Sequence, residues 1–185
     1  MLGFSADSTL IRMATPADAE AILSIYAPYI DKTSVSFEYT VPTLPEFKSR
    51  MEEYLAFAPW LVATKEGRVL GYAYASKYRA REAYSWAIEV SVYLAEESKG
   101  RGLAAKLYDE LFTTLIRCGY RQAFAVITLP NAASLSLHRK MGFEPIGVFK
   151  NVGFKFGAWH DVAWYRKELL SFEGSPSPIR HYKTL

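Results

Sequence analysis

The chain has 185 residues, with 22 Lys and Arg against 19 Asp and Glu and a formal net charge of +3; at roughly 150 residues per domain, that length suits one domain with short extensions. Half of the residues are hydrophobic and 22% are charged, which excludes a mostly disordered chain, while a single cysteine, Cys118, excludes an internal disulfide framework and a multi-cysteine zinc site. No apolar run approaches the roughly 20 residues of a membrane span and Met1 to Ser8 shows no signal-peptide pattern, so the expectation is a cytoplasmic protein without metal, membrane or nucleic-acid partner.

In chain order, residues 9–13 read as a short strand ended by Ala14-Thr15-Pro16, and Thr15, Pro16 and Asp18 signal a helix that runs to about Ile30. Thr43-Leu44-Pro45-Glu46 is a capping-box signature for a second helix carrying Phe47, Met51, Tyr54 and Leu55. Residues 31–42 between them form a loop able to cover a site. The period then shortens. Trp60 to Ala63 and Val69 to Ala75 are strand-like around a Glu66-Gly67 turn, and Tyr84 to Leu94 alternates Trp86, Ile88, Val90, Val92 and Leu94 against Ala87, Glu89, Ser91 and Tyr93. Gly102 to Arg117 is the strongest helix, with Leu103, Leu107, Leu111 and Leu115 on one stripe and Gly119 as its stop. A strand over 123–127, a helix over 132–141 and strands over about 143–150 and 158–167 complete the order β-α-α-β-β-β-α-β-α-β-β. That order predicts a layered α/β or α+β domain, a mixed sheet with helices on both faces, over residues 9–169. Residues 1–8 form an N-terminal extension. The tail, 170–185, is rich in Gly, Pro and Ser and reads as an extension outside the core.

The most informative stretch is the strand ending Val92-Tyr93-Leu94, followed by Ser98-Lys99-Gly100-Arg101-Gly102-Leu103-Ala104-Ala105. A glycine turn that opens a long helix offers unpaired N–H groups in a positive field, a geometry that binds phosphate. Lys99 and Arg101 add charge there, and no Asp or Glu occurs from Leu111 to Phe143. Gly100-x-Gly102-x-x-Ala105 formally fits a dinucleotide fingerprint, but the acidic residue due about 20 positions later falls in that acid-free stretch, and no G-x-x-x-x-G-K-[ST] loop is present.

Lys99-x-x-Gly102-x-Ala104 resembles the [Q/R]-x-x-G-x-[G/A] pyrophosphate loop of the Gcn5-related N-acetyltransferases, with Lys99 where Gln or Arg is usual. The stretch Leu129-Pro130-Asn131 to Met141-Gly142-Phe143 is similar to that family's second cofactor segment, with His138 in place of its usual tyrosine. The phosphinothricin and methionine-sulfoximine acetyltransferase branch shares that histidine. It also shares Gly71-Tyr72-Ala73-Tyr74-Ala75, Arg79-Ala80-Arg81-x-Ala83-Tyr84-x-Trp86 and Val152-Gly153-Phe154-Lys155-x-Gly157-x-Trp159-His160-Asp161. The resemblance covers about residues 9–169 and implies a mostly antiparallel sheet and acetyl-CoA as cosubstrate. It implies that the backbone of Val92, Tyr93 and Leu94 receives the pantetheine arm, that Lys99, Gly100, Arg101, Gly102, Leu103, Ala104 and Ala105 hold the pyrophosphate, and that Asn131 contacts the pantetheine.

Amine acetylation requires an acceptor for the ammonium proton, a polarised thioester carbonyl and a stabilised thiolate. Glu89, on the face of Ser91 and Tyr93, is the candidate base; on the residues alone it equally fits a solvated strand face, and the resemblance assigns it the proton. His138 is read as proton carrier or substrate contact. Arg79 and Arg81 alternate on what reads as an extended segment, suited to gripping a carboxylate or phosphinate, with Tyr84 and Phe37 as walls. The resemblance thus implies an N-acetyltransferase for a small amino-acid-like amine and a homodimer, in which the aromatic segment of Phe154, Phe156 and Trp159 pairs two chains. A non-catalytic acyl-CoA-binding module, or an acetyltransferase for a peptide N-terminus or an aminoglycoside, stands as the alternative.

Overall fold

Two capping arrangements start the helical part of the chain. The Asp18 carboxylate accepts from the Thr15 N–H at 2.8 Å and from both guanidinium nitrogens of Arg12 at 2.8 and 2.7 Å, which pins a 3-10 turn (Pro16–Asp18) to the first strand. Thr43 and Glu46 form the reciprocal box expected of them, with the Thr43 N–H 2.8 Å from the Glu46 carboxylate. The computed structural model describes residues 9–185, and the N-terminal extension read over 1–8 lies outside the described residues. Its elements are β1 (Leu10–Met13), α1 (Ala19–Lys32), α2 (Leu44–Leu55), β2 (Trp60–Lys65), β3 (Arg68–Lys77), β4 (Ala87–Leu94), α3 (Leu103–Cys118), β5 (Gln122–Thr128), α4 (Ala132–Lys140), β6 (Glu144–Lys155) and β7 (Ala158–Glu168).

The seven strands form one sheet in the order β1-β2-β3-β4-β5-β7-β6, antiparallel throughout except between β4 and β5. Alternation on β3 separates the two faces. Tyr72 and Tyr74 stack with Trp60 at 5.7 and 4.5 Å, and that aromatic face receives Tyr26 and Tyr29 of α1 and Phe47 and Tyr54 of α2. The intervening Ala73 and Ala75 are fully buried and small, and α3 packs against β3 with its stripe of Leu107, Leu111 and Leu115. Such close packing is what alanines opposite a leucine stripe permit.

Three segments differ from their sequence reading. Residues 84–86, read as the start of the third strand run, and the extended segment read at Arg79 and Arg81 are instead bends and turns around a 3-10 turn (Glu82–Tyr84), and β4 starts at Ala87, because the run Arg79-Ala80-Arg81-Glu82 has no apolar face to pair. β6 continues past residue 150 to Lys155, through a register shift between Phe149 and Gly153 where Asn151 takes φ +50°, and meets β7 as a long hairpin. The tail, read as lying outside the core, returns to it. Tyr182 is buried and donates to the Leu55 carbonyl at 2.7 Å, Ser177 accepts from the Trp86 indole at 2.8 Å, and the Arg180 N–H bonds Cys118 O at 2.9 Å. An aromatic and an isoleucine (Ile179) in a polar segment find an uncovered end of α3 and α2, and their burial outweighs the segment's flexibility.

Candidate active site

The parallel contact of β4 with β5 lasts three residue pairs, Ala87 with Gln122, Ile88 with Ala123 and Glu89 with Phe124. Beyond Glu89 the strands part, because β5 keeps pairing with β7 along its whole length while β4 stays with β3. Backbone hydrogen bonds alternate sides along a strand. Trp86 O accepts from Gln122 N on the β5 side, and Ala95 N donates to Leu70 O on the β3 side, so the polar groups of Val90, Val92 and Leu94 point at the opening. The cleft is lined by Ser91, Val92 and Tyr93 on one wall, by Val126 and Thr128 on the other, and by Tyr108, Asn131, Ser134 and His138 at its back; Val35 of the 31–42 loop also lines it. Tyr93 turns its ring away, stacking on Tyr72 at 5.4 Å and meeting Tyr26 and Tyr29 edge-on at 5.1 Å, so β4 presents main chain to the cleft there.

At the far end of β4 the glycine turn leads into α3. Gly100 and Gly102 take φ of +75° and +76°, and a Cβ at either would meet nothing within 4 Å, so the turn is both glycine-specific and open on its outer side. The first bond into α3 is Lys106 N to Gly102 O, which leaves the N–H groups of Leu103, Ala104 and Ala105 without helical acceptors, and the first turn carries no acid. Arg101 is exposed beside it. Lys99 is already engaged, its ammonium 2.6 Å from Glu96 and 4.9 Å over the Tyr29 ring; the Glu96 hydrogen bond holds its pKa above the usual lysine value. A hollow of about 600 Å³ adjoins that side, lined by Pro28, Lys32, Arg68 and Glu97, with Lys99 paired to Glu96 and Arg68 to Glu97 at its rim.

Glu89 is the residue at which β4 and β5 separate. It is half-buried, opposite Ser76 and Phe124, and among the described residues its carboxylate has no hydrogen-bond or ion-pair partner; burial pushes its pKa up. The ring of Phe124 carries Tyr78 at 4.4 Å, and Tyr78 in turn touches Tyr84 and Trp164 and lies under the Arg79 guanidinium at 5.3 Å. A continuous aromatic shelf thus links Arg79 and Tyr84 to Glu89. Arg81 is not brought to it: its side chain is exposed and, among the described residues, makes no hydrogen bond, ion pair or cation–π contact with the shelf, and the bends over 78–81 replace the extended alternation read from the sequence. Phe37 lies over Gly153 of β6, near the His160 ring at 6.1 Å, and it is Val35 of the same loop that reaches the cleft.

Asn131 caps α4, its Oδ1 accepting from Ser134 N–H at 3.1 Å. His138 is buried. Its Nδ1 is 2.8 Å from the Ser134 carbonyl, which only accepts, so the proton sits on Nδ1 and Nε2 accepts from the Tyr108 hydroxyl at 3.1 Å. Burial lowers the His138 pKa, opposed in part by the Ser134 bond, and raises that of Tyr108. The pair is neutral and polar at the back of the cleft. Tyr78, Phe124, Trp164 and Tyr108 carry no sequence signal of their own, since each reaches the site by contacts across the sheet or between α3 and α4.

Residues 11–164 match the family profile described as an acetyltransferase (GNAT) domain. The chain belongs to the GNAT acetyltransferase family. A phosphinothricin N-acetyltransferase of Streptomyces viridochromogenes is 36% identical over 170 residues, covering 92% of each chain. An L-methionine sulfoximine/L-methionine sulfone acetyltransferase of Pseudomonas paraeruginosa is 34% identical over 174 residues, 91% of this chain and 99% of that one. A GNAT superfamily phosphinothricin acetyltransferase from Sinorhizobium meliloti, solved in complex with acetyl-CoA, superposes with a TM-score of 0.89 at 35% identity, over 95% of this chain and 99% of the other. The GNAT fold, with its seven-stranded and mostly antiparallel open sheet, is therefore the fold of this N-acetyltransferase. Among the described residues no helix is long and apolar enough to cross a membrane, and no group of His, Cys, Asp and Glu is placed to hold a metal ion.

Proposed function

We propose that this chain transfers the acetyl group of acetyl-CoA to the α-amine of a small amino-acid analogue of the phosphinothricin or methionine sulfoximine and sulfone type. One observation carries the reading: the gap between β4 and β5 runs from an uncommitted, half-buried carboxylate at Glu89 to an open set of helix-start amides at Leu103 to Ala105. Its length is lined by unpaired strand backbone, as a pantetheine arm requires. Acetyl-CoA supplies an activated thioester when bound.

The roles follow from what each group has free. The amides after Gly100 and Gly102, with Arg101, receive the pyrophosphate, and Lys99 contributes positive field from behind its Glu96 partner. The main chain of Val92 and Leu94, with the unused amide N–H groups of the Asn131 side chain, holds the pantetheine, and a β4 N–H near Val92 polarises the thioester oxygen. Glu89 takes the ammonium proton, directly or through one water; its raised pKa makes it a better match to that task than an exposed glutamate titrating near 4.3. His138 and the Tyr108 hydroxyl form the polar group available to the departing thiolate. Arg79 grips the second, anionic or tetrahedral, group of the substrate, with Tyr84 and the Phe37 loop as walls.

The exposed apolar side chains of the β6–β7 hairpin, Phe149, Val152 and Phe154 on the edge strand β6, Phe156 at the turn and Trp159 at the start of β7, gather at one end of the sheet, and we assign them to a homodimer contact with a second copy of this chain. Sedimentation at micromolar concentration tests it.

The activity test is release of free thiol from acetyl-CoA with phosphinothricin, methionine sulfoximine and methionine sulfone against a wider panel of amines. Release with the first three supports the reading. Acetyl-CoA binding by calorimetry with no release on any amine would make the protein a binding module instead.

A further inference from the structure

Lys155 is the most deeply buried charged side chain among the described residues, 2% exposed at the end of β6. Among the described residues its ammonium forms no ion pair, and Asp31 and Glu38 act on it only at longer range. Instead Nζ donates to three main-chain carbonyls, Ile30 at 2.6 Å, Thr33 at 2.9 Å and Ser36 at 2.7 Å, which uses all three of its protons. Ile30 O belongs to the last turn of α1, where carbonyls lack helical donors and the helix dipole is negative. Thr33 and Ser36 follow in the loop. A buried cation costs free energy that apolar packing would not, so its retention points to what it fixes. Here it fixes three points of backbone around which the chain turns from α1 into the 33–38 segment.

That segment carries Val35, which lines the cleft, and Phe37, which stands over Gly153. The hairpin that holds the loop from inside through Lys155 also seats Phe37 from outside. Gly153 lies under the ring, and a Cβ there would stand 2.2 Å from Phe37. Tyr39, just beyond, donates its hydroxyl to the carbonyl of Phe154. Ser36 is held on its other side by Tyr26, at 2.8 Å. Between Gly153 and Lys155 the hairpin thus grips one loop, through the Lys155 ammonium, the Gly153 contact with Phe37 and the Tyr39 bond to Phe154.

We propose that Lys155 is a positioning residue for the amine-substrate site: its ammonium sets the conformation of residues 33–38, and Gly153 sets where Phe37 stands. The inference rests on the reading above in which this loop walls the amine site. It assigns the Gly153-Phe154-Lys155 stretch a part in selecting the amine; toward acetyl-CoA its reach is only indirect, through Val35 at the cleft.

The test uses the full-length protein and methionine sulfone as amine. Lys155→Met should raise the KM for the amine by about tenfold or more, while kcat and the KM for acetyl-CoA stay within about threefold, since displacing a positioning loop acts on binding and orientation of one substrate. Amide hydrogen exchange over 33–39 should speed up with α3 unchanged. Gly153→Ala adds no buried charge defect and should show the same split, and in a Phe37→Ala background it should have no further effect. An unchanged amine KM, equal rises in both KM values, or unchanged exchange in Lys155→Met overturns the proposal. If Lys155→Met does not fold, the Gly153→Ala and Phe37→Ala pair decides, an additive double variant overturning it. A wild type that acetylates none of the amines would strike the substrate reading, and the exchange result would still decide whether Lys155 holds the loop.

Discussion

Replacing Glu89 by Gln keeps volume and removes only the proton acceptor. A general base contributes about 10²–10⁴ in rate, or about 2.7–5.4 kcal/mol at 1.36 kcal/mol per decade, and kcat should fall by that factor at saturating acetyl-CoA and amine. The structure separates this loss from misfolding. Glu89 has no cationic partner among the described residues, so Gln strands no buried charge. Its pKa is raised on folding, so the native state binds that proton more tightly than the unfolded chain; the resulting stability is present below about pH 4.3 and lost as the pH rises through the higher folded value. Ionised Glu89 therefore costs stability at neutral pH, and the Gln variant should melt at the same temperature as wild type or higher. In wild type, kcat/KM should decline on the acid side with an apparent pKa above that of a free glutamate, and the variant should lack this limb. Glu89→Asp, shorter by one C–C bond of about 1.5 Å, discriminates a direct transfer from one relayed by water, which tolerates the extra distance. A Gln variant within about fivefold of wild-type kcat across the pH range would remove Glu89 from the mechanism.

Three further outcomes follow from the same geometry. A Cβ on Gly71 would stand 2.4 Å from the Leu94 side chain and 2.9 Å from the Tyr93 carbonyl, so Gly71→Ala should cost about 1–3 kcal/mol in urea unfolding and raise the KM for acetyl-CoA by displacing the end of β4. Burial holds His138 below the usual histidine range, so its site contributes stability that is present above about pH 6.5 and lost as the pH falls toward the lower folded value; His138→Gln should flatten that decline, as read from unfolding free energies at several pH values. Tyr182→Phe removes a buried bond to Leu55 O and should lower stability by about 0.5–1.5 kcal/mol with kcat and both KM values unchanged.

Local signals of the fold were legible where they arise from neighbours in the chain. The leucine stripe from Leu103 to Leu115 is a helix by spacing alone, and the Thr43–Glu46 box and the Gly102 and Gly119 boundaries sit where their chemistry requires. The extent of β6 was hidden because its register shift breaks period two at Asn151, and nearly all its residues are exposed, so it has no buried face to alternate. The tail misled for the opposite reason: Gly, Pro and Ser make up six of its sixteen residues, yet Ile179 and Tyr182 suffice to dock it.

The site itself was readable only along β4 and the turn after it, and the reason is topological. β4 and β5 are parallel neighbours and so must be joined through a crossover, here α3; nothing in either strand's sequence says that their pairing stops after three residues. That stop follows from β7, which claims the whole length of β5 on its far side and holds it straight while β4 follows β3. The opening is thus a property of three strands drawn from distant parts of the chain, as is the meeting of Tyr108 with His138, thirty residues apart. The same logic makes Lys155 invisible beforehand, since a lysine near the end of an exposed strand reads as solvated until α1 ends its last turn against it. On the proposed reading, substrate selection resides in contacts between elements, and variants that alter it should be sought at such contacts, starting with Lys155 and Gly153 against the Phe37 loop.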